Sequence, residues 1–139
     1  MDCSAEIVDK FRALRAQGVG LAIDDFGTGY SSLSYLQRYP FDKLKIDRAF
    51  TQGIGDNPKT TALVRAILAM GRNLELKVVA EGIETAAQYA FLQAAGCDYG
   101  QGYFLGRPLP KVEMTDFLTR WPDLKKRHPA MANVSVNTV

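Results

Sequence analysis

The stretch LAIDDFGTGYSSL, residues 21–33, places three apolar residues before two adjacent aspartates, a Gly-x-Gly turn and the start of a helical pattern. A glycine-rich turn between a strand and a helix often holds a phosphate, whereas paired carboxylates at a strand end often hold a metal cation. The dinucleotide-binding fingerprint fits poorly, because Ser32 stands where its third glycine should be and Asp24 and Asp25 would repel a pyrophosphate. We therefore interpret the aspartates as part of a cation site and the glycines as residues that allow a sharp turn.

Helical and strand-like segments alternate on both sides of this stretch. Such alternation predicts β-α-β crossovers, because parallel neighbouring strands need a connection long enough to contain a helix. The expected fold class is therefore α/β, with four parallel strands, as an open doubly wound sheet or as part of a (β/α)8 barrel. The predicted helices are residues 4–18, 31–38, 57–74, 85–96 and 111–121, and the predicted strands are residues 19–26, 41–47, 77–83 and 97–106.

Composition narrows the classes of function. The chain has 139 residues, of which 47% are hydrophobic, and a formal net charge of +2. A charge this small and scattered does not favour DNA or RNA as a partner. No apolar run reaches the roughly 20 residues of a membrane-spanning helix, and the N-terminus lacks the layout of a secretory signal, so we expect a cytoplasmic location without membrane contact. Cys3 and Cys97 do not have the spacing of a zinc site or a disulfide framework.

Polar side chains stand at the carboxyl end of every predicted strand. In both candidate architectures these ends meet at the ligand site. Alternation along a strand places Lys45 on the face opposite Leu44 and Ile46, and by the same argument Glu81 can converge on Lys45. Gathered carboxylates require a compensating cation, and an all-oxygen ligand set favours Mg²⁺ or Mn²⁺, ions that commonly act on phosphate esters. The strand-end residues are Asp24, Asp25, Lys45, Asp47, Glu81 and Gln101.

Four segments together closely resemble the second half of the EAL domain, a bacterial family that hydrolyses cyclic di-GMP. They are DDFGTGYSSLSYL, FDKLKID, VVAEGIE and DYGQGYFLGRP, and they follow the order and approximate spacing of that family over about residues 5–112. The resemblance implies a (β/α)8 TIM-type barrel, two Mg²⁺ or Mn²⁺ ions, and cleavage of one phosphodiester to give linear pGpG.

The resemblance also implies roles for individual residues. Asp24, Asp25 and Glu81 correspond to metal ligands, and Glu81 is also expected to activate the attacking water. Lys45 corresponds to the lysine that holds this water, and Gln101 to a glutamine near it. Asp47, Glu84, Tyr103 and Pro108 are expected at the substrate, with Tyr103 and Pro108 along a guanine. The loop of Gly27, Thr28, Gly29, Tyr30 and Ser31 is expected to couple the metal site to dimer contacts.

One departure from the family pattern limits these expectations. No Glu-Ala-Leu segment precedes residue 21, so we expect residues 1–121 to form the C-terminal half of a barrel and residues 122–139 to be a flexible tail. Half a barrel leaves strand edges unpaired, which predicts a homodimer or a strand-exchanged oligomer. We expect weak metal binding and little hydrolysis by this chain alone. The alternative is a non-catalytic module that binds cyclic di-GMP, or that serves signalling or dimerisation.

Overall fold

The computed structural model describes residues 3–27 and 33–127, which form four strands and six helices, with at least one helix between successive strands. The strands pair in parallel in the order β1-β2-β3-β4. The strands are β1 (Ala22–Phe26), β2 (Lys43–Ile46), β3 (Lys77–Ala80) and β4 (Tyr99–Gly100). The helices are α1 (Cys3–Ala16), α2 (Leu33–Arg38), α3 (Arg48–Gln52), α4 (Pro58–Asn73), α5 (Ala86–Ala94) and α6 (Lys111–Arg127).

The strand order distinguishes between the two architectures that the sequence left open. A doubly wound sheet reverses its strand order at a switch point, whereas a (β/α)8 barrel adds each new strand beside the previous one. The four described strands follow chain order without a reversal. The fold is therefore the α/β arrangement of a partial barrel.

The core lies on the face of the sheet that the helices cover. Leu44 and Ile46 of β2 are completely buried, and Val78 and Ala80 of β3 lie beside them in register. Burial of an aliphatic side chain of this size contributes about 2 kcal/mol. Val64, Ile67 and Leu68 of α4 and Leu92 of α5 complete the same core. The opposite face of the sheet carries Lys43 and Lys45 together with the apolar residues Ala22 and Val79.

Capping residues explain where the two central helices begin. Asn57 accepts hydrogen bonds from the N–H groups of Lys59 and Thr60, and Pro58 occupies the first turn. Thr85 and Gln88 form a reciprocal capping box at the start of α5. Both predicted helix starts are confirmed.

Two predictions about helices are wrong. The short helix α3 was not predicted, because five residues are too few to show a hydrophobic period. Helix α6 continues to Arg127 instead of ending at residue 121. Pro122 predicts a helix end at residue 121, but a proline inside a helix removes one hydrogen bond and kinks the helix without always stopping it. The rest of the expected tail, residues 128–139, lies outside the described residues.

No helix in the described part of the chain combines the length and the apolar character needed to cross a membrane.

Candidate metal centre

The two adjacent aspartates of β1 reach the same place because the strand is irregular there. In a regular strand consecutive side chains point to opposite faces. The pairing of β1 with β2 shifts register between Ile23 and Phe26, and Asp25 has a positive φ of 50°. The Asp25 N–H donates to Asp24 Oδ1 at 3.0 Å. One carboxylate oxygen each from Asp24, Asp25 and Glu81 can be chosen so that all three lie within 4.8 Å of one another.

Lys45 joins two of these carboxylates. Its Nζ lies 2.9 Å from Asp24 Oδ1 and 2.6 Å from Glu81 Oε1. The register that sets Lys45 opposite Val79 brings Glu81, two residues further along, to the level of the lysine ammonium. The Lys45 side chain is 26% exposed and that of Glu81 19%, so their contact is largely shielded from water, whereas Asp24 is 60% exposed. The predicted convergence of Asp24, Lys45 and Glu81 is confirmed.

The charges at this cluster are unevenly compensated. The hydrogen bond to Glu81 raises the pKa of Lys45, against the opposing effect of burial. The hydrogen bond from Lys45 lowers the pKa of Asp24. The pKa of Asp25 is raised, first by the negative charge of Asp24 and then by burial and by the charges of Asp47 and Glu81. Negative charge therefore accumulates around Asp25, and the all-oxygen donor set fits a hard divalent cation such as Mg²⁺ or Mn²⁺.

A cavity of about 820 Å³ adjoins this cluster. Lys45, Gln101, Tyr103 and Pro108 all line it, so the structure brings these four predicted site residues to one space. The Gln101 N–H donates to Ala80 O at 2.8 Å, which fixes Gln101 just beyond the end of β4. Tyr103 is 60% exposed, and the Arg107 guanidinium lies 5.1 Å from the centre of its ring.

Asp47 and Glu84 both bind residues of the short helix α3. Asp47 Oδ1 accepts from the Ala49 N–H at 2.7 Å as the helix N-cap. Glu84 Oε1 lies 2.9 Å from Arg48 Nη2 and accepts from Gln52 Nε2 at 3.3 Å. Contact of either acid with a substrate stays a prediction. Sequence reasoning missed Arg48, although its position directly after Asp47 at the end of a strand was a visible signal.

The loop expected to couple the metal site to a dimer is only partly described. Gly27, with a φ of +103°, is its first residue. Thr28, Gly29, Tyr30 and Ser31 lie outside the described residues.

Comparison with known proteins supports the same reading. The sequence profile of the EAL domain matches residues 2–108. The bifunctional diguanylate cyclase/cyclic di-GMP phosphodiesterase MucR of Pseudomonas aeruginosa is 51% identical over 113 residues, which are 81% of this chain and 16% of that protein. This chain therefore spans about a sixth of the length of that relative.

Solved structures show the fold relationship. The EAL domain of Mycobacterium smegmatis DcpA superposes with a TM-score of 0.81 at 40% identity, covering 86% of this chain and 54% of that one. The manganese and cyclic di-GMP complex of Klebsiella pneumoniae BlrP1 superposes with a TM-score of 0.69 at 38% identity, covering 77% of this chain and 27% of that one. Profile, sequence identity and fold agree, and the chain belongs to the EAL domain family.

Proposed function

We propose that this chain supplies the second half of the active site of a metal-dependent cyclic di-GMP phosphodiesterase that produces linear pGpG in the cytoplasm. The observation that carries the proposal is the meeting of Asp24, Asp25 and Glu81 within 4.8 Å, with Lys45 bonded to two of them. Related proteins add support: MucR is named as a cyclic di-GMP phosphodiesterase, and BlrP1 was solved with manganese and cyclic di-GMP.

The residues of the cluster would divide the chemistry among them. Asp24, Asp25 and Glu81 would hold Mg²⁺ or Mn²⁺, which when bound polarises phosphoryl oxygens and lowers the pKa of a water. The Lys45 ammonium donates hydrogen bonds and would hold the attacking water in place. Glu81, already a hydrogen-bond acceptor for Lys45, would accept a proton from that water. The Gln101 side chain, at the same cavity, would orient the water or the phosphodiester.

Two observations support an incomplete site in this chain. Three carboxylates, with water completing the shell, are enough for one Mg²⁺ but too few for the two ions expected of a complete EAL domain. Within the described residues, β1 and β4 each pair with one neighbour, and the chain covers 54% of the DcpA EAL domain. The remaining ligands would come from a second half-barrel that pairs with these edges, in a homodimer, in a strand-exchanged oligomer or with a first-half segment.

The test compares the chain alone with the chain mixed with a separately expressed first half of the MucR phosphodiesterase domain. We expect weak Mn²⁺ binding and little pGpG formation by the chain alone, and pGpG formation by the mixture. The variant D25N should abolish that activity, whereas the matched variant D56N, in an exposed turn, should retain it.

Three outcomes would contradict parts of the proposal. Hydrolysis by the chain alone at the rate of an intact enzyme would show that the site is complete. A mixture that binds cyclic di-GMP without hydrolysing it would favour the non-catalytic sensor. A mixture that forms a stable complex yet binds neither Mn²⁺ nor the nucleotide would leave only an interaction module.

A further inference from the structure

The helix that the sequence did not predict lies between the segment that follows Asp24 and Asp25 of β1 and the turn that carries Glu81 after β3. We call α3 (Arg48–Gln52) the bridging helix. It follows β2 directly, and its fully buried Thr51 anchors it to the core. A helix of five residues has no stability of its own, so its position depends on the contacts that it makes. Those contacts lie on both sides.

One side of the bridging helix contacts the loop after β1. A Cβ added at Gly27 would lie 2.7 Å from Phe50 Cε2 and 2.9 Å from Phe50 Cζ, closer than carbon atoms approach. The ring of Phe50 therefore rests on the backbone of Gly27, two residues after Asp25. Only a residue without a side chain allows this approach, and the φ of +103° at Gly27 adds the same requirement.

The other side contacts the turn after β3. The aliphatic stem of Arg48 lies against Gly82, where an added Cβ would be 2.7 Å from Arg48 Cβ. The Arg48 guanidinium then pairs with Glu84 Oε1 at 2.9 Å, and Gln52 donates to the same oxygen at 3.3 Å. Gly82 directly follows Glu81. Arg48 thus holds the segment that carries Glu81 from one direction, while Lys45 holds it from the other.

We propose that the bridging helix fixes the distance between the end of β1, which carries Asp25, and the turn after β3, which carries Glu81, with Arg48 and Phe50 as positioning residues for these two carboxylates. A change at either segment is then transmitted to the other through the helix. The contacts of Phe50 and Arg48 are sufficient to support the coupling of the two segments. Its consequence for metal binding rests on the proposed function.

The test is amide hydrogen exchange by NMR on the metal-free 139-residue chain. Useful reporters are the Asp25 N–H, bonded to Asp24 Oδ1, and the N–H groups of Ile83 and Glu84, bonded to Gln101 O and Gln88 Oε1. We expect F50A to speed exchange at Ile83 and Glu84, and R48A to speed exchange at Asp25, by about fivefold. The conservative F50L should stay within about twofold of the wild type.

Matched controls separate this effect from general destabilisation. R65A removes an exposed arginine that contacts Phe91, and F41A removes a half-buried aromatic that packs near Phe11. Neither control variant should change amide exchange at these reporters by more than its own loss in the free energy of unfolding accounts for. The proposal would be overturned if each variant sped up amide exchange only in the segment that the mutated residue itself contacts. If F50A failed to fold, exchange at Asp25 in R48A would still test the proposal.

A second measurement distinguishes this proposal from the proposed function. If both hold, R48A and F50A should each weaken Mn²⁺ binding, and the double variant should lose less than the product of the two single losses. If the wild-type chain does not bind Mn²⁺ but the variants change amide exchange as expected, the proposed metal site is contradicted and the proposed role of the bridging helix is supported. If Mn²⁺ binds normally to both variants, the bridging helix does not position the ligands.

Discussion

Replacing Lys45 by methionine would remove the ammonium group that contacts both Asp24 and Glu81. Methionine keeps most of the packing of the side chain, so the change isolates the charge. The carboxylates of Asp24, Asp25 and Glu81, which have oxygens within 4.8 Å of one another, would then repel one another without the positive charge of Lys45. We expect K45M to be less stable than the wild-type chain in metal-free buffer at neutral pH.

The magnitude follows from the exposure of the pair. Two unit charges about 4 Å apart attract by about 4 kcal/mol at an effective dielectric constant of about 20, before the cost of desolvation. Breaking a fully buried pair costs about 3–5 kcal/mol, and an exposed pair contributes about 1 kcal/mol or less. Lys45 is 26% exposed and Asp24 60%, so a loss of about 2 kcal/mol in the free energy of unfolding is expected.

The pH dependence has a definite sign. The raised pKa of Lys45 means that its contribution is present below its unfolded value of about 10.4 and is lost as the pH rises through the folded value. The lowered pKa of Asp24 means that its contribution is present above about 3.9 and is lost as the pH falls through the folded value. The difference between K45M and the wild type should therefore be largest between these limits and shrink in acid.

Urea unfolding followed by circular dichroism at pH 7 and pH 3 measures this difference. The matched control is K43M, which removes a lysine from the same face of the same strand, where Nζ lies 5.7 Å from the centre of the Tyr99 ring. If K45M were as stable as K43M at pH 7, or if its destabilisation were unchanged at pH 3, Lys45 would not stabilise the fold through its charge.

Three further predictions concern the scaffold. D98N should cost about 1–2 kcal/mol at pH 7 and less near pH 3 in urea unfolding, because asparagine can still accept from the Val78 N–H but loses the negative charge that strengthens this bond and pairs with Lys77 at 2.8 Å. Burial raises the pKa of Asp98, but hydrogen bonds from Lys77 and Val78 lower it more, so its contribution is lost as the pH falls through the folded value. G71A should lower the melting temperature despite the better helix propensity of alanine, because the new methyl group would clash with Val78 Cγ2, and adding V78A should relieve part of that loss. Burial raises the pKa of Cys97 to about 11, so mass spectrometry should find this thiol unmodified by iodoacetamide at pH 8 until urea unfolds the chain.

Much of the fold could be predicted because its signals are local. Alternation in β2 correctly assigned Leu44 and Ile46 to the core and Lys45 to the opposite face. Asn57 and Thr85 marked the helix starts because a capping side chain bonds to N–H groups only two or three residues away. The bridging helix escaped prediction because contacts with Gly27 and Gly82, distant in sequence, hold it in place.

The pattern of side chains along the chain was enough to predict the order of the strands, their parallel pairing, and the carboxylates and lysine at the strand ends. It could not show that Asp24 and Asp25 share one side of β1, because a register shift and the positive φ of Asp25 override the alternation of a regular strand. Nor could it show that Lys45 lies between Asp24 and Glu81, or that α3 contacts the segments after both β1 and β3. Distances between residues far apart in the chain depend on strand register and on the packing of helices and strands. The local pattern of side chains does not specify either of these.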